Sequence, residues 1–483
     1  MTQHSIFASA RWTVASSIIR KLFSFALFIV IARVLTKDDV GLFREYSLIL
    51  TLGSMTFLFS LDYLLIVSKE KIENNLSVIF KLILITSSIG TVILFILAPI
   101  LGRIYHSQVL TSLIRYTSVF LFVENIRRLL TALMQRELRL KELAIFQTVN
   151  VIFYTLLTLT VLIFKKNVWV LVLGFYSGNV IEMILLLWSS RITLGKYLKQ
   201  KGKVREFLSS NRKFISFAWV NNILNNISGN APVLVLGLSF PIAYLGSFYL
   251  ANQIIILPIT IITTALLQVF FPSFSRKAND EVVKHIGKFT DFVLIVAFPL
   301  MALYALVSYS YLPLIFGAKW VDASSLILAL AFTSALSLLT NPLSGIPYSL
   351  HKPDIELYWS IVSSGLKIGC ILFGAKYGFL EAIIGFVIAS VISQILLLII
   401  VLKLLSVKQV SYWLGFIVKL LPTIVLGLFF WIIYNLTSVY ATPIGIVLVG
   451  IYYLMIQRFS KYDLLTDIRN IAFSKEGNRR QSS

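Results

Sequence analysis

Cysteine and histidine, which commonly hold metals in proteins, are scarce in this 483-residue sequence. Its one cysteine, Cys370, has no second thiol to pair with, which excludes an internal disulfide and a cysteine-based metal site. The four histidines, His4, His106, His285 and His351, are scattered and form no HExxH pattern. We therefore expect the chain to carry neither a metal nor a cofactor.

Charged residues are also scarce. They make up 13% of the chain, whereas a soluble domain has about 25%. Hydrophobic residues make up 58%, and the mean hydropathy is +0.87. Apolar runs of about 18 residues or more recur from end to end, and each is long enough to cross the hydrocarbon core of a membrane as a helix. The runs are continuous rather than alternating every second residue, which favours helices over strands. The sequence thus predicts an all-α polytopic membrane protein.

We predict fourteen membrane-spanning helices in two pseudo-symmetric six-helix lobes, followed by two C-terminal helices. The spans are about 12–35, 41–67, 78–102, 108–133, 143–164, 167–190, 214–238, 242–272, 289–313, 322–350, 355–376, 378–404, 412–435 and 439–457. The predicted lobes are residues 1–190 and 214–404. A basic linker, 191–213, joins them, and residues 405–457 hold the last two spans before a basic tail, 458–483.

The excess of basic residues supports this topology. The chain has 43 Lys and Arg against 21 Asp and Glu, a net charge of +22. With both termini inside, the inner segments hold 28 basic residues and the outer links hold 6. Because cytoplasmic loops carry the excess of Lys and Arg, we expect both termini to be cytoplasmic, and the positive charge requires no nucleic-acid partner. No outer link exceeds about ten residues, which leaves no room for an extracytoplasmic catalytic domain.

A weak internal repeat underlies the two predicted lobes. A shift of about 205 residues lays Leu35–Phe43 over Phe240–Phe248, each between two long apolar runs. Further along the chain, a shift of about 214 lays Lys141–Leu143 over Ile355–Leu357. Transporters built from such repeats bind their substrate between the repeats and rock them to alternate access.

The first predicted span carries a polar stripe. Six residues share this helical face: Thr13, Ser16, Ser17, Arg20, Lys21 and Ser24. A charge near the middle of a bilayer costs at least ~3 kcal/mol, so the stripe should face protein or a water-filled cavity. The 205-residue shift carries it onto four asparagines of the seventh span, Asn221, Asn222, Asn225 and Asn226. Such donors suit a diphosphate or sugar hydroxyls. The alternative is that the asparagines join helices while Arg20 and Lys21 reach back to the cytoplasmic interface.

Other polar residues inside predicted spans complete the candidate set. Lys367 ends a hydroxyl stripe formed by Ser360, Ser363 and Ser364. The alternative is that Lys367 lies near the outer membrane interface. Further cations of the candidate cavity are Arg115, Arg127 and Arg128 in the fourth span. Four acids lie within or beside spans and are candidates for proton or ion coupling, or for structural pairing with arginine: Asp62, Glu124, Glu182 and Asp291. We expect Arg33, Arg44 and Glu45 to be interfacial, beside the first outer link.

The link after the first span resembles a known family. Ala32–Phe43 resembles the A-R-x-L-G-x-x-D/E-x-G-x-Y link of polysaccharide transporters, the O-antigen and exopolysaccharide flippases of the multidrug/oligosaccharidyl-lipid/polysaccharide (MOP) superfamily. Leu245–Ala251 with Leu266, Phe271 and Pro272 resembles the family's eighth helix, and Phe316–Trp320 and Gly378–Ala382 resemble later landmarks. The sequence departs from the pattern at Thr36, where the family often has Gly, and at Phe43 and Phe248, where it often has Tyr.

This resemblance implies a MATE-like MOP fold and a transporter rather than an enzyme. The implied substrate is an oligosaccharide linked to a polyprenyl diphosphate of the undecaprenyl type, moved from the cytoplasmic to the outer leaflet of a bacterial inner membrane through a cationic cavity. Membrane lipids, a polymerase and other assembly proteins are the implied partners. One alternative is a drug/cation antiporter, which would need acids in its cavity. Another is a polymerase or ligase, which would need a sizeable outer loop.

Overall fold

The computed structural model describes residues 3–67, 72–190, 204–276, 286–287, 289–344, 346–349, 352–407, 409–436 and 441–459, and every regular element in these ranges is helical. The first eight helices are α1 (Gln3–Val34), α2 (Lys37–Leu58), α3 (Leu61–Val67), α4 (Ile72–Ile104), α5 (Gln108–Thr117), α6 (Val119–Arg136), α7 (Leu140–Phe164) and α8 (Trp169–Ser190). The next five are α9 (Val204–Gly229), α10 (Ala231–Ser239), α11 (Ile242–Arg276), α12 (Phe298–Phe316) and α13 (Val321–Leu343). The last five are α14 (Ile346–Ser349), α15 (Pro353–Ala375), α16 (Phe379–Leu404), α17 (Gln409–Leu436) and α18 (Ala441–Phe459).

Many of these helices could span a membrane. Among the described residues, nine helices are long and apolar enough, or ten if α5 and α6 count as one span bent by 52°. The predicted all-helical, multi-pass class is therefore confirmed. The exact count of fourteen spans stays a prediction.

The described helices pack into two compact units. The first comprises Met1–Tyr249 and Ser360–Phe386, and the second comprises Leu250–Trp359 and Val387–Ser483. The first unit thus includes helices from both predicted lobes, whose boundaries stay a prediction. Within it, α7 packs against α1 and α8, and α6 packs against α3, α4 and α8.

Local polar contacts define the ends of α2. Thr36 and Asp39 form a capping box: Thr36 Oγ1 accepts from the Asp39 amide at 3.1 Å, and Asp39 Oδ2 accepts from the Thr36 amide at 3.2 Å. The second oxygen of Asp39 accepts from the Val168 amide at 2.9 Å, which ties the start of α2 to the segment before α8. At the other end, Phe59 and Ser60 have φ of 54° and 53°. The predicted second span, 41–67, is therefore two helices, because these left-handed residues interrupt the helical backbone.

Two glycines bring the starts of α2 and α11 together. A Cβ on Gly41 would lie 2.3 Å from the Ile242 carbonyl oxygen, and one on Gly246 would lie 2.1 Å from that of Lys37. Each glycine therefore faces the residue four positions before the other. The 205-residue shift lays Gly41 over Gly246, so the equivalent positions of the repeat contact one another reciprocally, as a local two-fold axis would require.

In the second unit, a π-helical segment, Val293–Ala297, leads into α12. In a π-helix the backbone amide bonds the carbonyl five residues back instead of four. Two tyrosines of α18 bond carbonyls of this segment: Tyr452 Oη donates to Ile295 O at 3.2 Å and Tyr453 Oη donates to Val296 O at 2.6 Å. These bonds fix α18 against the irregular turn.

Candidate functional site

Arg20 lies between α1 and α7. Its Nη1 donates to Ser16 Oγ and to the Ala144 carbonyl, each at 3.2 Å. Ala144 is four residues from the start of α7, which puts the guanidinium about 6 Å along the axis from that end. Arg20 thus binds neutral acceptors near the predicted cytoplasmic end of the bundle. Lys21 is exposed, while Ser17 and Ser24 are half-buried.

The asparagines of α9 bond to different elements. Asn222 Nδ2 donates to Ser60 Oγ at 2.8 Å, at the break between α2 and α3. Asn225 Oδ1 accepts from Ser360 Oγ of α15 at 2.9 Å. Asn226 Nδ2 donates to the Asn222 carbonyl of its own helix at 3.1 Å. Two of the four predicted asparagines, Asn222 and Asn225, therefore join helices, and in the described residues Arg20 has no hydrogen bond to Asn222, Asn225 or Asn226.

The hydroxyl stripe of α15 packs on the same helix, α9. Ser364 Oγ lies 3.2 Å from the Leu224 carbonyl and 2.6 Å from the Ser360 carbonyl, both acceptors. Lys367 Nζ donates to Ser228 Oγ at 3.3 Å. The structure thus brings together the predicted residues Asn225, Ser364 and Lys367. Sequence reasoning missed Ser228, although it follows Asn225 by three residues on the same helical face.

The arginines of α6 are neutralised by acids. Arg127 binds Glu124 through two nitrogens, at 3.0 and 2.7 Å, and Glu182 of α8 at 3.1 Å. Asn150 Nδ2 donates to the other oxygen of Glu182 at 2.5 Å. Arg128 lies 3.5 Å from Asp62 of α3. Both predicted cavity cations on α6 therefore form ion pairs between helices of the bundle.

The remaining charged candidates lie apart from this network. Arg115 is exposed on α5, with its guanidinium 5.9 Å from the ring of Phe95. In the second unit, Asp291 accepts a hydrogen bond from Lys419 Nζ. All four acids predicted as coupling groups are therefore ion-paired.

Glu45 is buried inside the protein, with a residue exposure of 2%. Its depth relative to the membrane interface stays a prediction. The neighbouring Arg44 donates through Nη2 to Asn230 Oδ1 and lies over the ring of Tyr249, 5.3 Å from the centroid. The sequence placed both residues near a link, but α2 begins at Lys37, so they lie two turns inside the helix and face α10 and α11.

Comparison with known proteins adds independent information. Residues 30–325 match the family described as "Polysaccharide biosynthesis protein". The lipopolysaccharide biosynthesis protein WzxC of Escherichia coli K12 is 23% identical over 434 residues, which cover 87% of this chain and 86% of that protein.

Solved structures share the fold. The lipid II flippase MurJ, in an inward closed conformation, aligns with a TM-score of 0.72 at 13% identity over 94% of this chain and 99% of that one. An inward-facing multidrug resistance MATE transporter of the MOP superfamily aligns with a TM-score of 0.60 at 12% identity over 80% and 94%. At these sequence identities the likeness shows a shared fold and nothing further.

Proposed function

The chain belongs to the polysaccharide biosynthesis protein family and has the fold of the MOP superfamily, and on that premise we propose that it is a membrane transporter that flips a lipid-linked oligosaccharide. WzxC is named for lipopolysaccharide biosynthesis, and MurJ is a flippase for lipid II. The substrate class proposed here is the one these relatives suggest: a hydrophobic lipid carrying an anionic headgroup and a glycan. Membrane lipids surround the protein and its substrate throughout transport.

The distribution of charge supports an anionic headgroup. In the described residues the candidate acids, Asp62, Glu124, Glu182 and Asp291, are all occupied by basic partners. By contrast, Arg20 and Lys367 donate to neutral oxygens and Lys21 is exposed. Arg20 lies within electrostatic reach of Glu182 but forms no salt bridge with it in the described residues. The free N–H groups of Arg20, Lys21 and Lys367 can donate charge-assisted hydrogen bonds to a diphosphate. We assign this role to Arg20, Lys21 and Lys367, with the polar groups of α9 and α15 available to the sugar.

The finer features belong to the same proposal. The carrier lipid is an undecaprenyl diphosphate, the membrane is a bacterial inner membrane, and both termini are cytoplasmic, which the charge bias of the loops favours. Transport runs from the cytoplasmic to the outer leaflet by alternating access. A polymerase and other assembly proteins would then receive the flipped substrate.

The two alternatives receive less support. A drug/cation antiporter shares the fold, but its cationic ligand needs acids, and those predicted for that role are already paired. A polymerase or ligase needs an extracytoplasmic catalytic loop, and α1 and α2 are joined by only two residues on that predicted side.

Deletion of the gene and complementation test the proposal. We expect the deletion to remove a surface polysaccharide and to leave its lipid-linked oligosaccharide in the cytoplasmic leaflet. We expect Arg20→Ala, Lys21→Ala and Lys367→Ala to fail to restore export at normal membrane levels of protein. Lys165→Ala, an exposed residue after α7, is the matched control and should restore it.

Two results would contradict these expectations. Unchanged polysaccharide in the deletion strain would refute the function. Normal export by Arg20→Ala, Lys21→Ala and Lys367→Ala alike would refute the role of these cations and leave the proposed function intact.

A further inference from the structure

Glu45 is a carboxylate that the transport site described above does not use. It lies on α2, its residue exposure is 2%, and neither carboxylate oxygen has a hydrogen-bond partner in the described part of the chain. The carboxylate instead packs against the backbone of α10, where a Cβ on Gly237 would lie 2.6 Å from Oε1. Glycine at this position therefore leaves the space that the carboxylate occupies.

A cavity leads to this carboxylate. Its volume is about 420 Å³ and it lies within the first compact unit. Its lining comes from α2, the link between α4 and α5, the end of α10 and the start of α11, and includes Leu42, Tyr105, His106, Gly237 and Pro241. The predicted topology puts these helix ends on the extracytoplasmic side. Glu45 lies eight residues after the start of α2, about 12 Å along the axis.

Glu182 shows what a structural carboxylate of equal burial looks like in this protein. It is also 2% exposed, but it accepts from Arg127 at 3.1 Å and from Asn150 at 2.5 Å. A carboxylate removed from water without such partners is costly when ionised and takes up a proton instead. In the described part of the chain, Glu45 therefore differs from Glu182 in having no basic or amide partner for its carboxylate.

The groups around Glu45 favour a proton over a larger cation. Among the described residues, the titratable side chains that line the cavity with it are Tyr105 and the exposed His106, and no Lys or Arg contributes to this lining. Burial raises the pKa of Tyr105 to about 12, so this phenol stays neutral. Arg44, the adjacent cation, is directed to Asn230. In the described residues no cluster of three His, Cys, Asp or Glu side chains offers a metal site.

We propose that Glu45 and its cavity form a proton-binding site that is loaded from the extracytoplasmic side. The proton adds to a carboxylate oxygen from water in the cavity and returns to water when the carboxylate ionises. Since Glu45 packs on Gly237, ionisation changes the contact between α2 and α10, which are helices of the two predicted lobes. The inference rests on the proposed function only where it links this proton to transport.

Carbodiimide labelling tests the site without any transport assay. Dicyclohexylcarbodiimide enters apolar regions and converts protonated carboxyl groups into a stable N-acylurea, which peptide mass spectrometry locates. With the purified full chain, we expect labelling at Glu45 that falls by about tenfold for each pH unit above its midpoint of titration. Glu182 of the same molecule is the internal control and should stay unlabelled, because Arg127 and Asn150 occupy its carboxylate oxygens. Absence of label at Glu45 at every pH, or labelling that is independent of pH, would overturn the proposal.

A flipping assay tests the link to transport. Proteoliposomes would carry the wild-type chain or Glu45→Gln, which imitates the protonated acid, with lipid-linked oligosaccharide extracted from the deletion strain. We expect wild-type flipping to respond to an imposed pH gradient and the response of Glu45→Gln to be lost. An equal response by the variant would refute the coupling. Absence of flipping by the wild type would refute the proposed function, whereas the labelling result would still decide the proton site.

Discussion

Two glutamates of the first compact unit, Glu45 and Glu182, are equally buried at 2% exposure but have different surroundings. Glu182 is part of a network in which Arg127 also binds Glu124. The Glu124–Arg127 pair could be predicted from its i, i+3 spacing. The Glu182 contact could not, because it joins residues 55 positions apart. At the scale of single residues, the partner decides whether a buried charge stabilises the bundle or is free to titrate.

Substituting Arg127 by alanine should destabilise the protein strongly. The change leaves Glu182 buried without its cation, and removing one partner of a buried ion pair costs about 3–5 kcal/mol. We expect a clear fall in Tm for Arg127→Ala, measured on detergent-solubilised protein by tryptophan fluorescence.

The controls for this prediction are Arg115→Ala and a double variant. Arg115 is exposed, so its substitution should leave Tm nearly unchanged. Arg127→Met with Glu182→Gln removes both charges and should recover part of the loss. A Tm of Arg127→Ala equal to that of the wild type would contradict the structural role of the network.

At the scale of helices, polar caps and close glycine contacts position α2. Thr36 stands where the resembling family often has Gly, and its side chain completes a capping box with Asp39 that glycine could not form. Gly41 and Gly246 then allow α2 and α11 to approach until a Cβ would overlap a backbone carbonyl. The sequence motif identified both glycines, but their mutual contact is visible only in the fold.

Alanine at Gly41 or Gly246 should force these two helices apart. The backbone cannot move aside as a flexible side chain can, so the added methyl group overpacks the contact. We expect the free energy of unfolding to fall by about 1–3 kcal/mol, seen as a lower Tm for Gly41→Ala and Gly246→Ala. Gly365→Ala is the matched control, since a Cβ there meets no atom within 4 Å. Because alanine favours a helix over glycine by about 0.5–1 kcal/mol, the control should be neutral or slightly stabilised. Equal Tm values for all three variants would exclude the close contact.

At the scale of the whole molecule, the orientation in the membrane can be tested directly. With Cys370 replaced by Ser, we expect a cysteine at Ser209 to be protected from an impermeant maleimide added to intact cells and one at Asn167 to be labelled. Both residues are exposed in the structure, so membrane sidedness rather than burial controls the reaction. Labelling after cell lysis supplies the control for reactivity at Ser209. The reverse pattern would overturn the predicted orientation.

The sequence by itself determined the class of this protein. Continuous apolar runs and scarce charge specify membrane helices, because the length needed to cross a bilayer is a local property of the chain. The motifs of Ala32–Phe43 and Leu245–Ala251 indicated the polysaccharide transporter family, and the match of residues 30–325 confirmed it. Even the pairing of Glu124 with Arg127 follows from local spacing.

Only the tertiary structure decided which polar groups are satisfied. Asn222 meets Ser60 across 162 positions and Lys367 meets Ser228 across 139. Nothing in the sequence indicates that Glu45 is buried, whereas packing of α10 covers it and leaves its carboxylate without a hydrogen-bond partner among the described residues. Electrostatic pairing depends on distance in space, and helix packing sets that distance independently of separation along the chain.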